Sequence, residues 1–320
     1  MDTFKIQSKE SWLNLLCVTE KDLKKIIDNK ANSYSKHEIS KSSGNLRTIY
    51  CIDNSSEIYA LQNKLKKMFF INIFLPECVC GFRKNYSYID FLIPHTSTKN
   101  NQLYLRLDIK NFFESIAVDL FRKFLKYYID SNVNEIDMNY IIDSIIEITT
   151  LDKMFVQGAV TSPDISNFIF REIDIRISNY CKKLNICYTR YADDMLFSST
   201  NRYIHSKHFI IAIKSILNDY NFELNNSKTL RFTKEISLNG YVIGKDVRLS
   251  RKKLHSINQL IFELSQNNIC ISKNKYYIKN KLAGYRSLLI QVDKYAHDQT
   301  YKKYIKNKIK VIENLMDGII

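Results

Sequence analysis

The chain has 320 residues, of which 45% are hydrophobic, so we expect a sizeable buried core in two or three lobes, and global disorder is excluded. Lys and Arg number 48 against 33 Asp and Glu, and the net charge of +15 favours a polyanionic partner, either nucleic acid or an acidic membrane surface. No apolar run approaches the roughly 18 residues of a membrane-spanning helix, and residues 1–5 do not begin a secretory signal. We therefore expect a cytoplasmic protein without a membrane partner, and we interpret its seven scattered cysteines as reduced thiols.

The hydrophobic pattern predicts a mixture of helices and strands. Helical spacing predicts helices over 9–31, 58–74, 141–148, 162–177, 205–220 and from 251 to the end. Strands are predicted over 45–52, 103–109, 187–191 and 195–199, with a hairpin over 236–249 that turns near 244–246. The strict alternation of 103–109 puts Asp108 near the C-terminal end of its strand, and residues 192–194 form the tip of a hairpin.

Positive charge is concentrated at the C-terminal end of the chain. Residues 251–320 contain fourteen Lys and Arg against five Asp and Glu, and tyrosines are interleaved with the basic residues. A solvated helical face would explain the charge alone. The pairing of cations with rings that can stack on bases favours a track for a nucleic-acid backbone.

Three carboxylates are the candidate catalytic groups. Asp193 and Asp194 form a pair that, taken alone, would be interpreted as a turn former. Their position between two apolar strands changes that interpretation, because unpaired charges there are costly unless they hold a cation. With Asp108 on a neighbouring strand, they would complete a site for two Mg²⁺ ions and permit two-metal phosphoryl transfer.

Several short motifs resemble those of reverse transcriptases. Residues 191–194 read Tyr-Ala-Asp-Asp and resemble the YxDD box, and residues 107–113, which contain Asp108, resemble the first catalytic box. Residues 156–163 resemble the QGxxxSP box, and residues 43–49 and 81–84 resemble two upstream finger motifs. These boxes occur in the family's order, over about residues 40–250, and residues 226–229 follow them as Asn-Ser-Lys-Thr.

The resemblance implies a role for each matching residue. Asp108 and Asp193 would bind both Mg²⁺ ions, with the Ile109 carbonyl completing one shell and Asp194 supporting the site. The nucleotide pocket would contain the residues Arg47, Arg83, Phe113, Gln157, Gly158 and Lys228. In that pocket Phe113 would be the steric gate against a ribose 2′-hydroxyl, or else a core aromatic. Lys228 would be a general acid near the pyrophosphate, or else a surface lysine. Guanidinium groups suit the incoming triphosphate.

The resemblance also implies the fold, an α/β (α+β) right hand with fingers, palm and helical thumb. We expect N-terminal helices and fingers over residues 1–100. The palm would follow over 101–245, with part of the fingers near 150–175. A basic helical thumb would occupy 246–320.

Among reverse transcriptases, the compact chain is most similar to bacterial retron enzymes. Residues 91–95 keep only the histidine of the retron NAxxH motif, and residues 238–240 keep only the glycine of the VTG motif, so we identify a divergent member. The resemblance implies RNA contacts at His95, Asn239, Gly240, Lys252, Lys253, Lys279 and Arg286. For His95 the alternative is an ordinary surface or helix-end residue.

The resemblance further implies substrates and partners. The enzyme would use dNTPs to copy part of its own structured noncoding RNA into branched single-stranded DNA (msDNA), in anti-phage defence with a separately encoded effector protein. One alternative is another defence-associated reverse transcriptase with different priming. The other is a catalytically silent RNA-binding scaffold, which the three intact aspartates disfavour.

Overall fold

The structure is a computed structural model that describes residues 6–40, 46–99, 101–129, 132–266 and 275–318. Its helices are α1 (Lys9–Leu16), α2 (Glu20–Asp28), α3 (Glu57–Met68), α4 (Tyr88–Leu92), α5 (Val118–Tyr128), α6 (Glu135–Thr149), α7 (Ser162–Lys183), α8 (Lys207–Asn218), α9 (Arg251–Ser265), α10 (Lys275–Tyr295) and α11 (Gln299–Asp317). Its strands are β1 (Tyr34–Ser40), β2 (Leu46–Ile52), β3 (Leu103–Asp108), β4 (Cys187–Tyr191), β5 (Asp194–Ser199), β6 (Leu230–Thr233), β7 (Ile236–Leu238), β8 (Tyr241–Ile243) and β9 (Val247–Leu249). The predicted mixture of helix and sheet is confirmed.

The central sheet is antiparallel and has the strand order β4-β5-β3-β6. Alternation along β3 sends Leu105 and Leu107 to one face, where they join the larger core with helices α5–α8. Tyr104 points to the opposite face and joins a second core with α4, β7–β9 and the C-terminal helices. Arg106 and Asp108 follow Tyr104 on that second face, so the sheet presents polar side chains where its apolar cover ends.

The N-terminal region pairs a hairpin with short helices. β1 and β2 are antiparallel partners over their whole length. The helix predicted over 9–31 is wrong in its continuity: Cys17 takes a left-handed φ of 57° and ends α1. Thr19 then caps α2, its hydroxyl accepting a hydrogen bond from the backbone N–H of Asp22. Residues 43–45 of the first finger motif, including Gly44, lie outside the described residues.

A small sheet connects the central sheet to the C-terminal helices. The single hairpin predicted over 236–249 is instead the antiparallel sheet β7-β8-β9, which has a second turn. That extra turn is Asn239-Gly240, whose φ values of 47° and 88° suit the left-handed pair of a tight hairpin turn. No helix in the described ranges is long and apolar enough to cross a membrane. The described cysteines are all free thiols, and Cys270 lies outside those residues.

Candidate active site

Backbone pairing brings Asp108 next to the Asp193-Asp194 pair at the end of β3. Asp108 is directly opposite Asp194 in the β3–β5 pairing, and the Ile109 N–H donates to the Asp193 carbonyl at 3.0 Å. The Asp108 side chain is buried, and its Oδ1 atom has no hydrogen-bond partner. Its Oδ2 atom accepts a hydrogen bond from Lys228 Nζ at 2.9 Å. The result is a buried carboxylate with one free oxygen beside the hairpin that carries Asp193.

A short helical turn positions Lys228 next to the Asp108 carboxylate. The N–H of Asn225 donates to the Asp108 carbonyl at 2.8 Å, which fixes the chain next to the end of β3. The turn Asn226–Lys228 follows, and the Lys228 N–H donates back to the Asn225 carbonyl at 3.1 Å. The Lys228 side chain is 53% exposed, so its ammonium group lies between the buried Asp108 carboxylate and the solvent.

The surroundings of Asp193 disfavour its ionised form. Burial raises the pKa of Asp193, and the charge of Asp108 raises it further, while Lys228 and Arg47 act in the opposite direction. Carboxylate and carbonyl oxygens near an unpartnered buried Oδ1 are the donors that hard divalent cations prefer. In the described residues no three acidic, imidazole or thiol groups form a metal cage. Mg²⁺ is commonly held by one or two carboxylates together with substrate phosphates, and its binding at Asp108 and Asp193 stays a prediction.

Asp194 has a partner of its own. Arg106 Nε donates to Asp194 Oδ1 at 2.9 Å, and Arg106 Nη2 bonds to the same oxygen. Burial raises the pKa of Asp194, and the adjacent guanidinium opposes that rise. Asp194 therefore connects the hairpin to β3 through Arg106, and its role as a metal ligand stays a prediction.

The hairpin tip is held by a close backbone approach. Ala192 has a left-handed φ of 55° in the turn between β4 and β5. The N–H groups of Cys80 and Gly81 both donate to the Arg190 carbonyl, at 2.9 and 3.3 Å. A Cβ atom on Gly81 would lie 2.5 Å from the Ala192 nitrogen, so only glycine fits against the turn.

Arg47 and Gln157 lie together. Arg47 Nε donates to Gln157 Oε1, and the Gln157 carbonyl accepts from the Tyr50 N–H at 2.9 Å. Gly158 has a φ of 112°, and a Cβ there would lie 1.8 Å from the Tyr50 carbonyl oxygen. The backbone that Gly158 approaches in this structure is β2 of the N-terminal hairpin.

Arg83 and Phe113 lie in different surroundings. Arg83 Nη1 donates to the carbonyls of Pro76 and Val79, at 3.1 and 3.3 Å, so its guanidinium stabilises the segment 76–83 that carries it. Phe113 is 8% exposed, and its ring lies 5.9 Å from that of Phe82. The predicted contacts of Arg83 and Phe113 with the nucleotide stay predictions.

The predicted RNA contact at His95 is corrected by its burial. The side chain is 0% exposed, and its two ring nitrogens form hydrogen bonds of 2.8 Å with the hydroxyls of Ser198 and Thr189. Burial lowers the pKa of His95 to about 3. A neutral, fully enclosed imidazole supports the central sheet and cannot touch RNA in this conformation.

The other predicted RNA contacts lie in the small sheet and the C-terminal helices. Asn239 Nδ2 donates to the Tyr88 hydroxyl at 2.9 Å, and the Lys253 side chain packs beside Gly240. Lys252 and Lys279 are exposed. Arg286 Nε donates to Glu313 Oε1 at 2.7 Å, which connects α10 with α11.

Sequence analysis assigned no role to three further residues. Arg106 shares a face with Asp108 by strand alternation, and that signal was sufficient to place it near the site. Arg190 and Asp174 form a fully buried ion pair behind the hairpin. Their separation of sixteen residues across a helix and a strand left no local pattern.

Comparison with known proteins agrees with these motifs. Residues 35–243 match the family model of reverse transcriptase (RNA-dependent DNA polymerase). The retron Ec73 reverse transcriptase of Escherichia coli is 30% identical over 300 residues, 89% of this chain and 90% of that protein. The retron Ec86 reverse transcriptase of Escherichia coli is 26% identical over 280 residues, 82% of this chain and 79% of that protein. Among solved structures, Candida albicans telomerase with a TWJ fragment of telomeric RNA covers 89% of this chain and 61% of its own, at 11% identity and a TM-score of 0.47.

The family match covers more than half of the chain and contains Asp108, the QG pair, and the Asp193-Asp194 pair. The predicted polymerase fold and the predicted family are thereby confirmed. The chain belongs to the reverse transcriptases, as a divergent member of the retron type, and its activity is that of an RNA-directed DNA polymerase.

Proposed function

We propose that this enzyme copies part of its own structured noncoding RNA into branched single-stranded DNA (msDNA) in the cytoplasm. The reaction would use dNTPs and two Mg²⁺ ions, and the product would serve anti-phage defence together with a separately encoded effector protein. The observation that supports the chemical part is the buried, unpartnered Oδ1 atom of Asp108, whose carboxylate lies near enough to Asp193 for its charge to raise the pKa of Asp193. The similarity to retron enzymes over most of the chain supports the choice of template.

Asp108, Asp193 and the Ile109 carbonyl are the groups that would hold the ions. Held there, the ions would supply the activation of the primer hydroxyl and the stabilisation of the leaving pyrophosphate. Lys228, which is hydrogen-bonded to Asp108, would donate a proton to the pyrophosphate as it leaves. Arg47, held by Gln157, would orient the triphosphate. Phe113 would exclude a ribose 2′-hydroxyl.

We assign these roles to three domains. Residues 1–100 would form the N-terminal helices and fingers, 101–245 the palm, and 246–320 the thumb. The exposed Lys252 and Lys279 would follow the RNA backbone, so binding should weaken steeply as salt is raised.

The experiment is to purify the enzyme from its native locus and analyse the nucleic acid that accompanies it. Wild type and Asp193→Asn are treated with RNase and, separately, with DNase. A discrete single-stranded DNA joined to RNA, absent from the variant, is the expected result. RNA-free or heterogeneous DNA would favour another defence-associated enzyme with different priming. RNA alone in both samples would favour the silent scaffold and overturn the proposal.

A further inference from the structure

A fully buried ion pair lies behind the β4–β5 hairpin that carries Asp193. Arg190, on β4, and Asp174, on α7, are each 0% exposed. Arg190 Nε donates to Asp174 Oδ1 at 2.9 Å, and Nη2 donates to Oδ2 at 2.7 Å, a two-pronged geometry. The Tyr188 hydroxyl donates to the same Asp174 Oδ1 at 2.7 Å. The charges are therefore paired and further hydrogen-bonded inside the core.

The remaining donors of Arg190 reach the hairpin and its neighbour. Nη1 donates to the Ala192 carbonyl at 3.1 Å, immediately before Asp193. Nη2 also donates to Asn167 Oδ1 at 3.1 Å, and Asn167 Nδ2 donates to the Gly81 carbonyl at 2.9 Å. One guanidinium thus connects helix α7, the turn that carries Asp193, and the segment that packs against that turn.

Stability alone gives little reason for such a pair. Two charges taken out of water lose hydration free energy that their attraction often only just recovers, and apolar replacements are frequently as stable. A planar fork of fixed donors does set distances and angles, which a flexible ammonium group cannot reproduce. The network acts on a left-handed residue, Ala192, whose φ of 55° needs support from its surroundings.

We propose that Arg190, held by Asp174 and Asn167, is a positioning residue that sets the place of Asp193 relative to Asp108 and so the affinity of the site for divalent metal. This inference rests on the proposed metal-dependent mechanism. It assigns to the residues behind the hairpin a role in metal binding that is separate from their role in packing.

The test uses Arg190→Lys in the full chain. Lysine keeps a positive charge beside Asp174 but loses the fork that reaches Ala192 and Asn167, and thermal unfolding checks that the variant is folded. Binding of Mn²⁺ without dNTP is measured by electron paramagnetic resonance, and kcat and KM are measured on a primed RNA template. We expect Mn²⁺ affinity and kcat to fall by about 10- to 100-fold while KM for dNTP stays within about twofold. The matched control is Arg176→Lys. Arg176 lies on α7 and also forms an ion pair, with Asp219, but that pair is at the surface.

The outcomes separate this inference from the proposed function. A folded Arg190→Lys variant with wild-type Mn²⁺ affinity and kcat would overturn the positioning role. If that variant does not fold, Asn167→Ala decides, because it removes the bridge to Gly81 and leaves the ion pair intact. Asp193→Asn is measured in parallel: if it keeps both Mn²⁺ binding and polymerisation, the metal-dependent mechanism itself fails. If it loses both while Arg190→Lys and Asn167→Ala lose neither, only the positioning role is wrong.

Discussion

A methyl group on Gly81 should displace the β4–β5 hairpin, whose turn carries Asp193. The Cβ of Gly81→Ala would lie 2.5 Å from the Ala192 nitrogen and 3.0 Å from the Tyr191 carbonyl carbon. Both neighbours are backbone atoms, so neither can turn aside as a flexible side chain would. The hairpin or the segment of Gly81 has to move by up to about 1 Å to restore an ordinary contact of roughly 3.5 Å.

The expected magnitudes follow from that displacement. Overpacking a close-packed contact costs about 1–3 kcal/mol of unfolding free energy. A shift of about 1 Å in a catalytic group can lower the rate by as much as 100-fold. Because the displaced turn carries Asp193, we expect the loss of kcat to be larger than the loss of stability would explain.

The assay is primer extension on an RNA template, alongside thermal unfolding. The matched control is Gly284→Ala, since a Cβ at Gly284 on α10 would meet nothing within 4 Å. There the alanine should stabilise the helix by about 1 kcal/mol and leave the rate unchanged. A Gly81→Ala enzyme with wild-type kcat would refute the claim that this contact sets the hairpin's position.

Three further predictions concern single side chains. Burial lowers the pKa of His95 to about 3, so between pH 6.5 and 3 the unfolded chain binds a proton at this residue that the folded chain does not bind. The free energy of unfolding should therefore fall as the pH drops through this range. In His95→Gln the slope of unfolding free energy against pH, measured by urea unfolding at several pH values, should be shallower by up to about 1.4 kcal/mol per pH unit. Phe113→Val should admit ribonucleotides, seen as a higher ratio of kcat/KM for rNTP to that for dNTP, and an unchanged ratio would refute the steric gate. Lys228→Met should lower kcat by about 100-fold or more through loss of proton donation. In the same variant Mn²⁺ should bind more tightly, because a cation beside Asp108 has been removed; weaker binding would contradict this charge balance.

The residues of the candidate site could be predicted from the sequence because the patterns that indicate them are local. Alternation in a strand located Asp108, and an acidic pair between two apolar segments located Asp193 and Asp194. The order of the motifs then identified the family. Each of these signals occupies fewer than about ten residues, so no knowledge of tertiary contacts was needed.

The surroundings of the site depend on contacts that a sequence does not display. His95 looks like any polar residue near a helix end, and only the fold reveals that Ser198 and Thr189 enclose it. Arg190 immediately precedes the Tyr-Ala-Asp-Asp motif in the sequence. Its partner Asp174 lies on α7, where the hydrophobic pattern predicts a buried helix but not an ion pair. Asn167 and Asp174 are seven residues apart, two turns along one face of α7, and two polar residues among the apolar positions of that face were the available hint.

The most direct test of the central claim is extension of a primed RNA template by Asp193→Asn in Mg²⁺, with RNA binding measured on the same preparation. Our account predicts no detectable extension and nearly unchanged RNA affinity, because the amide removes a metal ligand without altering the basic surface. Without divalent metal the variant should also be more stable to heat, since burial and the charge of Asp108 both disfavour the ionised Asp193 carboxylate and raise its pKa. Extension at the wild-type rate would contradict the assignment of Asp108 and Asp193 as the groups that hold the catalytic metal.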